Sequence, residues 1–140
     1  MYFNRKGLQF SRYDAMDYIT LQPIILSWVK KHYELASTHG MAGVPPSIAE
    51  KYEDIDEAHK EWLSILEFIV SSLEAKEPDY AEGFHEGPNN GKREKYGIVW
   101  DMVPNDETAW STYMVEKMQW GERRVKAMEL FGKHFHDMWI

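Results

Sequence analysis

Apolar residues recur every three or four positions in three stretches of the chain, and this spacing predicts three amphipathic helices. The first stretch covers about residues 14–37 and contains Pro23. Because proline lacks a backbone N–H and clashes with the preceding turn, we expect either a kink there or a helix start near Leu21. The face predicted to turn toward a core carries Tyr18, Leu21, Ile25, Trp28, His32 and Leu35, and Ile24 and Val29 widen it.

The second and third helices are predicted at about residues 54–76 and 106–138. Asp54, with Glu57 three residues later, indicates a capped start for the second helix, because both acids can accept hydrogen bonds from early backbone amides. The core-facing stripe of this helix is Ile55, His59, Trp62, Leu66, Ile69 and Leu73. The stripe of the third helix is Trp110, Met114, Met118, Gly121, Val125, Met128, Gly132, Phe135 and Trp139.

Glycine, proline and asparagine are concentrated in residues 77–95, and this composition predicts a long loop before the last helix. Residues 96–103 follow as an extended segment for which the sequence offers no obvious partner strand. A length of 140 residues fits one domain. The sequence therefore predicts an all-α fold, a small bundle of three main helices in a single domain over residues 1–140.

The formal net charge is −7, and residues 50–86 account for it with twelve acids against three lysines. This balance disfavours nucleic-acid binding, because proteins that follow phosphates need the opposite charge. The chain has no cysteine, which excludes disulfides and thiolate zinc sites. It also has no apolar stretch that suits a secretory signal or the roughly 20 residues of a membrane span. We therefore expect a cytoplasmic protein.

The last part of the chain reads Ala127-Met128-Glu129-Leu130-Phe131-Gly132-Lys133-His134-Phe135-His136-Asp137-Met138-Trp139. It resembles the ending of a family of uncharacterised proteins from tailed bacteriophages, whose pattern is Ala-x-x-Leu-Phe-x-x-x-Phe-x-x-Leu-Trp. Met138 replaces the usual leucine. The helix start at residues 16–19, the Gly/Pro loop after the first helix, and the run at residues 62–66 are also similar to that family. The resemblance implies a phage origin, a helical fold and the host cytoplasm as location, and it implies no catalytic residues.

Four residues near the start of the second predicted helix are candidate metal ligands: Asp56, Glu57, His59 and Glu61. Their spacing brings carboxylate and imidazole groups to neighbouring turns, which suits a divalent cation. The pairs Glu53/Asp56, Asp54/Glu57 and Glu74/Glu77 resemble parts of the acidic pairs that bind magnesium in all-α nucleotide pyrophosphatases. The alternative is that His59 belongs to the apolar stripe and Asp56 to the helix start. No cofactor motif is evident, since phosphate-binding glycine loops and cysteine nucleophiles are both missing, and this favours a protein without catalytic activity.

Aromatic and acidic residues provide the remaining signal. Trp110, Tyr113 and Trp120 exceed what one narrow stripe needs, and Glu67 and Glu74 belong to the acidic segment. Aromatic side chains are favoured at binding surfaces because they give large contact area at a low entropy cost. The leading hypothesis is a phage accessory protein that contacts a host or phage protein. The alternative functions are a metal-dependent hydrolase and a role in virion assembly. The aromatic residues could instead complete the core or form a homodimer through the third helix, and the acidic residues could simply form a solvated helix face.

Overall fold

A computed structural model describes residues 2–4, 7–9, 18–38, 43–88 and 100–138. The chain is mostly helical with three main helices, as predicted. In chain order the elements are β1 (Tyr2–Asn4), β2 (Gly7–Gln9), α1 (Tyr18–Thr38), α2 (Pro46–Ala49), α3 (Ile55–Glu74), β3 (Phe84–Pro88), β4 (Trp100–Pro104), α4 (Glu107–His134) and a 3-10 turn at Phe135–Asp137. The pairs β1–β2 and β3–β4 are both antiparallel.

The chain divides into two compact units, a division that the single-domain prediction did not include. Unit 1 consists of residues 1–75 and 123–140, and unit 2 consists of residues 76–122. The long helix α4 contributes its first half to unit 2 and its second half to unit 1.

Helix α3 begins as the sequence predicted. The Asp54 carboxylate accepts a hydrogen bond from the Asp56 backbone N–H at 2.9 Å, which satisfies one of the amides that a helix start leaves without a helical partner. Glu57 does not complete the predicted capping pair in this arrangement. Its carboxylate instead lies 2.7 Å from the Lys60 ammonium.

The buried face of α3 forms the centre of the core of unit 1. Its buried residues are Ala58, Trp62, Leu66, Ile69, Ser72 and Leu73. They confirm the predicted stripe from Trp62 onward, whereas Ile55 is exposed and His59 is half-buried. Trp62 lies between two buried imidazoles, with ring centroids 6.2 Å from His32 and 5.3 Å from His134.

Helix α1 contacts this core through one side of its predicted face. Leu21 and Trp28 are exposed by 40% and 38%, whereas Val29 and Ala36 are buried. Of the residues predicted for this face, His32 and Val29 are buried. The buried residues lie toward the Val29 side of the predicted face, and Ile25 also packs against the core.

Pro23 lies inside α1, which begins at Tyr18 rather than near Leu21. A proline removes one intrahelical hydrogen bond, here the one that would end on the carbonyl of residue 19. Because Pro23 is close to the helix start, few bonds precede it and the loss stays local. The Ser27 hydroxyl donates to the Pro23 carbonyl at 2.7 Å.

The predicted core stripe of α4 is wrong over much of the helix, although Trp110 and Phe135 are half-buried in ring contacts, and Trp139 lies outside the described residues. Met118 and Val125 are exposed by 59% and 61%, and a β carbon added at Gly121 would meet no described atom within 4 Å. The buried residues of this helix are instead Ala127 and His134. The C-terminal half of α4 carries two faces with helical spacing, and the sequence pattern alone selected the outer one.

Residues of the C-terminal motif form the inner face. Ala127 and Met138 are buried, and Leu130 and Phe131 pack against the core of unit 1. The Phe135 ring lies edge-on to Trp28, with centroids 5.2 Å apart. The motif therefore has a packing role in this structure.

Gln22 joins three helices of unit 1. Its side-chain amide donates to the Leu73 carbonyl at 2.7 Å, one of the last carbonyls of α3 that have no helical partner. Arg124 of α4 donates to the Gln22 amide oxygen. One residue earlier, Arg123 donates to the Ser71 hydroxyl at 3.3 Å. These bonds attach α1 and α4 to the C-terminal end of α3.

Unit 2 contains the β3–β4 hairpin, whose first strand, Phe84–Pro88, falls inside the predicted loop 77–95. The loop prediction is wrong for these five residues, and its last part lies outside the described residues. Trp100–Pro104 is extended as predicted, and its partner is β3. Gly87 is required by close packing, since a β carbon there would lie 2.6 Å from Cγ2 of Val103.

A candidate interaction surface

Four aromatic side chains of unit 2 form one cluster. The Tyr80 ring lies 5.2 Å from Phe84 and 5.1 Å from Trp110, and the Trp110 ring lies 5.1 Å from Tyr113. Trp110 and Tyr113 are one helical turn apart on α4, while Tyr80 and Phe84 come from the segment before and within β3. Tilted and edge-on ring pairs of this kind add stability beyond the area that they bury.

The hydroxyl of Tyr80 fixes this cluster to the start of α4. It accepts a hydrogen bond from the Asp106 backbone N–H at 3.1 Å and lies 3.4 Å from the Asp106 carbonyl, to which it donates. The Asp106 carboxylate in turn accepts from the Ala109 backbone N–H at 3.0 Å, as an N-cap residue does. The helix start and the tyrosine therefore hold each other in place.

Asn105 connects the hairpin to the segment before it. Its side-chain amide donates to the Glu82 carbonyl at 2.8 Å, and its side-chain oxygen lies 2.7 Å from Nδ1 of His85. Its backbone N–H donates to the carbonyl of Gly83 at 3.0 Å. Gly83 has a positive φ of 75°, a conformation that glycine adopts without strain.

An open cavity of about 370 Å³ lies beside the tyrosines of this cluster. Its lining combines aromatic, hydroxyl and acidic side chains: Asp79, Tyr80, Glu82, Asp106, Thr108, Ala109, Thr112, Tyr113 and Glu116. The volume is at the lower end of the range for small-ligand sites. All nine residues belong to unit 2.

Lys117 lies at the edge of the same group. Its ammonium is 5.6 Å from the centroid of the Tyr113 ring and 3.7 Å from the Glu77 carboxylate. Hydrogen bonding to Tyr113 raises the pKa of Lys117 above its usual value, so the side chain stays protonated at neutral pH. The structure thus already places one cation against the face of Tyr113.

Apolar side chains continue this surface along α4. Met114, Val115 and Met118 are exposed by 47%, 49% and 59%, and together with Lys117 they line an open depression of about 410 Å³. Lys117 therefore borders both the apolar depression and the aromatic cluster. We call the surface made by the cavity and this depression the unit 2 surface.

Three of the four predicted metal ligands, His59, Glu61 and Glu57, have side-chain contacts with other groups. His59 Nε2 lies 2.9 Å from the Ala36 carbonyl, and Glu61 lies 3.0 Å from the Lys51 ammonium. Hydrogen bonds from Lys51 and from Tyr52 lower the pKa of Glu61.

Asp56 is exposed, and the Glu57 carboxylate is paired with a lysine, as described above. Among the described residues, no three His, Asp or Glu side chains come together in a way that could hold a metal ion.

The predicted contact residues are divided between the units. Trp110 and Tyr113 meet in the aromatic cluster, and the half-buried Trp120 lies further along α4 in the same unit. Glu67 and Glu74 lie on the exposed side of α3 in unit 1, where Glu74 pairs with a lysine of α1.

Tyr80 and Phe84 were not predicted as members of this cluster. Both lie about 30 residues before their partners on α4, within the predicted loop 77–95. Helical spacing cannot join residues across such a distance, and the short strand β3 is flanked by glycine and proline, which weakens its own signal.

Comparisons of this chain with protein-family models, curated proteins and solved structures give no match. None of the described helices combines the length and the apolar character that crossing a membrane requires.

Proposed function

We propose that this protein acts by binding another protein and that the unit 2 surface is the contact region. One observation carries the proposal: Met114, Val115 and Met118 expose apolar side chains on neighbouring turns of α4. Methionine and aromatic side chains are favoured at protein interfaces, because they supply large, adaptable contact area. Acids of the neighbouring cavity would favour a partner with a basic rim around an apolar centre.

The resemblance of the C-terminal motif to tailed-phage proteins supports an accessory role during infection, with a host protein as the partner. An accessory factor of this kind needs no active site, because its effect comes from occupying a surface of its target. The exposed residues of α4 give such a factor a contact area that its own core does not use.

The proposal is tested with affinity capture from host lysate, followed by a binding measurement between the two purified proteins. Met118→Glu places a charge in the apolar depression and is expected to weaken binding at least about tenfold, since interface anchors commonly contribute more than 1 kcal/mol. Gln119→Glu is the matched control, because it adds the same charge to an exposed neighbouring position of the same helix. Circular dichroism verifies that both variants stay folded.

The two variants separate the possible outcomes. Equal binding by Met118→Glu and the parent protein would refute the assignment of the unit 2 surface. Light scattering on the purified chain addresses self-association. A stable dimer that Met118→Glu converts to monomers would show that a second copy, rather than a host protein, covers this surface.

A further inference from the structure

We infer that the cavity beside Tyr80 and Tyr113 binds a lysine or arginine side chain of the partner. This inference rests on the proposed function and specifies the chemistry of its partner. The cavity volume of about 370 Å³ accommodates one long side chain, and its open mouth allows entry from solvent. All of its lining residues lie within residues 76–122, so the site is complete within one unit.

The charge of the lining selects a cation. Asp79, Glu82 and Glu116 contribute carboxylates, and these make no hydrogen bond or ion pair within the described part of the chain. Asp106 is a fourth acid of the lining, although its carboxylate is also used to cap α4. A positively charged side chain entering the cavity would find acceptors that no described residue of this chain occupies.

The aromatic part of the lining points to an organic cation. The faces of tyrosine rings attract ammonium and guanidinium groups. The chain itself demonstrates this at the edge of the site, where the Lys117 ammonium lies 5.6 Å from the Tyr113 centroid and 3.7 Å from Glu77. A metal ion fits less well, since the acids of the described residues do not form a group that could coordinate one.

The test uses the full-length protein, labelled with ¹⁵N, and two short peptides. One peptide carries a single lysine between glycines, and the other carries norleucine, which has the same carbon chain without the ammonium. The lysine peptide is expected to shift the backbone amide signals of Thr112, Tyr113 and Glu116 in a saturable way. The norleucine peptide is expected to leave them in place. Raising the salt concentration from roughly 0.05 M to 0.5 M should weaken the lysine complex, because the site is exposed.

Variants locate the binding. The double change Glu82→Gln and Glu116→Gln is expected to weaken the lysine peptide about threefold to tenfold, the range for removing two exposed carboxylates. Tyr113→Leu removes the ring face and is expected to weaken binding about threefold. The matched control is Glu122→Gln, which removes the same charge from α4 outside the cavity.

Two results would overturn the inference. If both peptides shift the same amides equally, the ammonium is not recognised. If Glu122→Gln weakens the lysine peptide as much as the double change does, the net negative charge explains the binding and the cavity does not. Failure here is distinguishable from failure of the proposed function, because capture of the partner and its sensitivity to Met118→Glu are measured separately.

Discussion

The orientation of helix α4 can be tested by placing one glutamate at two positions that are two residues apart. Ala127 is fully buried in the core of unit 1, whereas Val125 is 61% exposed. The hydrophobic pattern of the sequence predicted the opposite arrangement for this part of the helix. Ala127→Glu is therefore expected to destabilise the protein strongly, and Val125→Glu is expected to change stability by less than about 0.5 kcal/mol.

The magnitude for Ala127→Glu follows from its burial. A glutamate without a partner in this position avoids ionisation by taking up a proton. Holding a carboxyl of ordinary pKa protonated at pH 7 costs about 3.7 kcal/mol, at about 1.4 kcal/mol for each pH unit. The larger side chain adds an overpacking cost of roughly 1–3 kcal/mol. A domain of this size is commonly stable by only about 5–15 kcal/mol, so this variant should be marginal or unfolded.

Urea unfolding followed by circular dichroism measures both variants. Val125→Glu should unfold close to the midpoint of the parent protein, while Ala127→Glu should lose most or all of its folded baseline at pH 7. Near pH 4.5 part of that loss should be recovered, because the introduced carboxyl is then neutral at little cost. Equal midpoints for the two variants, or greater damage from Val125→Glu, would refute the observed orientation of α4.

Three further predictions concern single side chains. Burial lowers the pKa of His32 below 6.5, so the unfolded chain binds a proton there more tightly than the folded protein does, and the free energy of unfolding falls as the pH drops below about 6.5. The urea midpoint should therefore drop between pH 7.5 and 5, and an equal drop in a His32→Gln variant would contradict this cause. Gly87→Ala should destabilise the hairpin by about 1–3 kcal/mol, because the added β carbon would collide with Val103. Amide hydrogen exchange in β3 should become faster, and an unchanged exchange rate would contradict the packing described. Tyr80→Phe removes the hydroxyl that bonds to the Asp106 backbone and should lower the stability of unit 2 by about 1 kcal/mol. Amide hydrogen exchange at the start of α4 should become faster, whereas the comparison variant Tyr33→Phe in unit 1 should leave that exchange unchanged.

The sequence was sufficient for the parts of the fold that have one strongly apolar face. Helix α3 begins at the predicted cap and buries the predicted residues from Trp62 to Leu73. Charged residues such as Glu67 lie away from this face, and the apolar residues beside it are half-buried against the core: Leu63, Ile65, Phe68 and Val70. Local hydrogen bonding and burial therefore favour the same orientation of this helix.

The faces of α1 and α4 could not be read from the sequence with the same success. Trp28 and Val29 are adjacent in α1, and the core takes the smaller residue. In α4, Ala127 gives little hydrophobic signal, yet a small side chain is what close packing against a neighbouring helix needs. Periodicity weighs residues by hydrophobicity, whereas burial in this structure also depends on volume.

The candidate site was half predictable. Trp110 and Tyr113 are separated by one helical turn, so their proximity follows from helix geometry. Tyr80 reaches them through hydrogen bonds to the backbone of Asp106, which lies 26 residues away in the sequence. Such a contact depends on the path of the chain between the two residues, and no local pattern records it.

The order of the two units along the chain has a consequence for synthesis and folding. Gln22 bonds to Leu73, 51 residues away, and to Arg124, 102 residues away, so unit 1 is built from two stretches that residues 76–122 separate in the sequence. During translation, residues 76–122 are available as a continuous stretch and can begin to fold as soon as they emerge. Unit 1 has to wait for residues 123–138, and until then the apolar face of α3 lacks Ala127 and Met138. We therefore expect the nascent chain to be more prone to aggregation in the interval between the synthesis of α3 and that of residues 123–138.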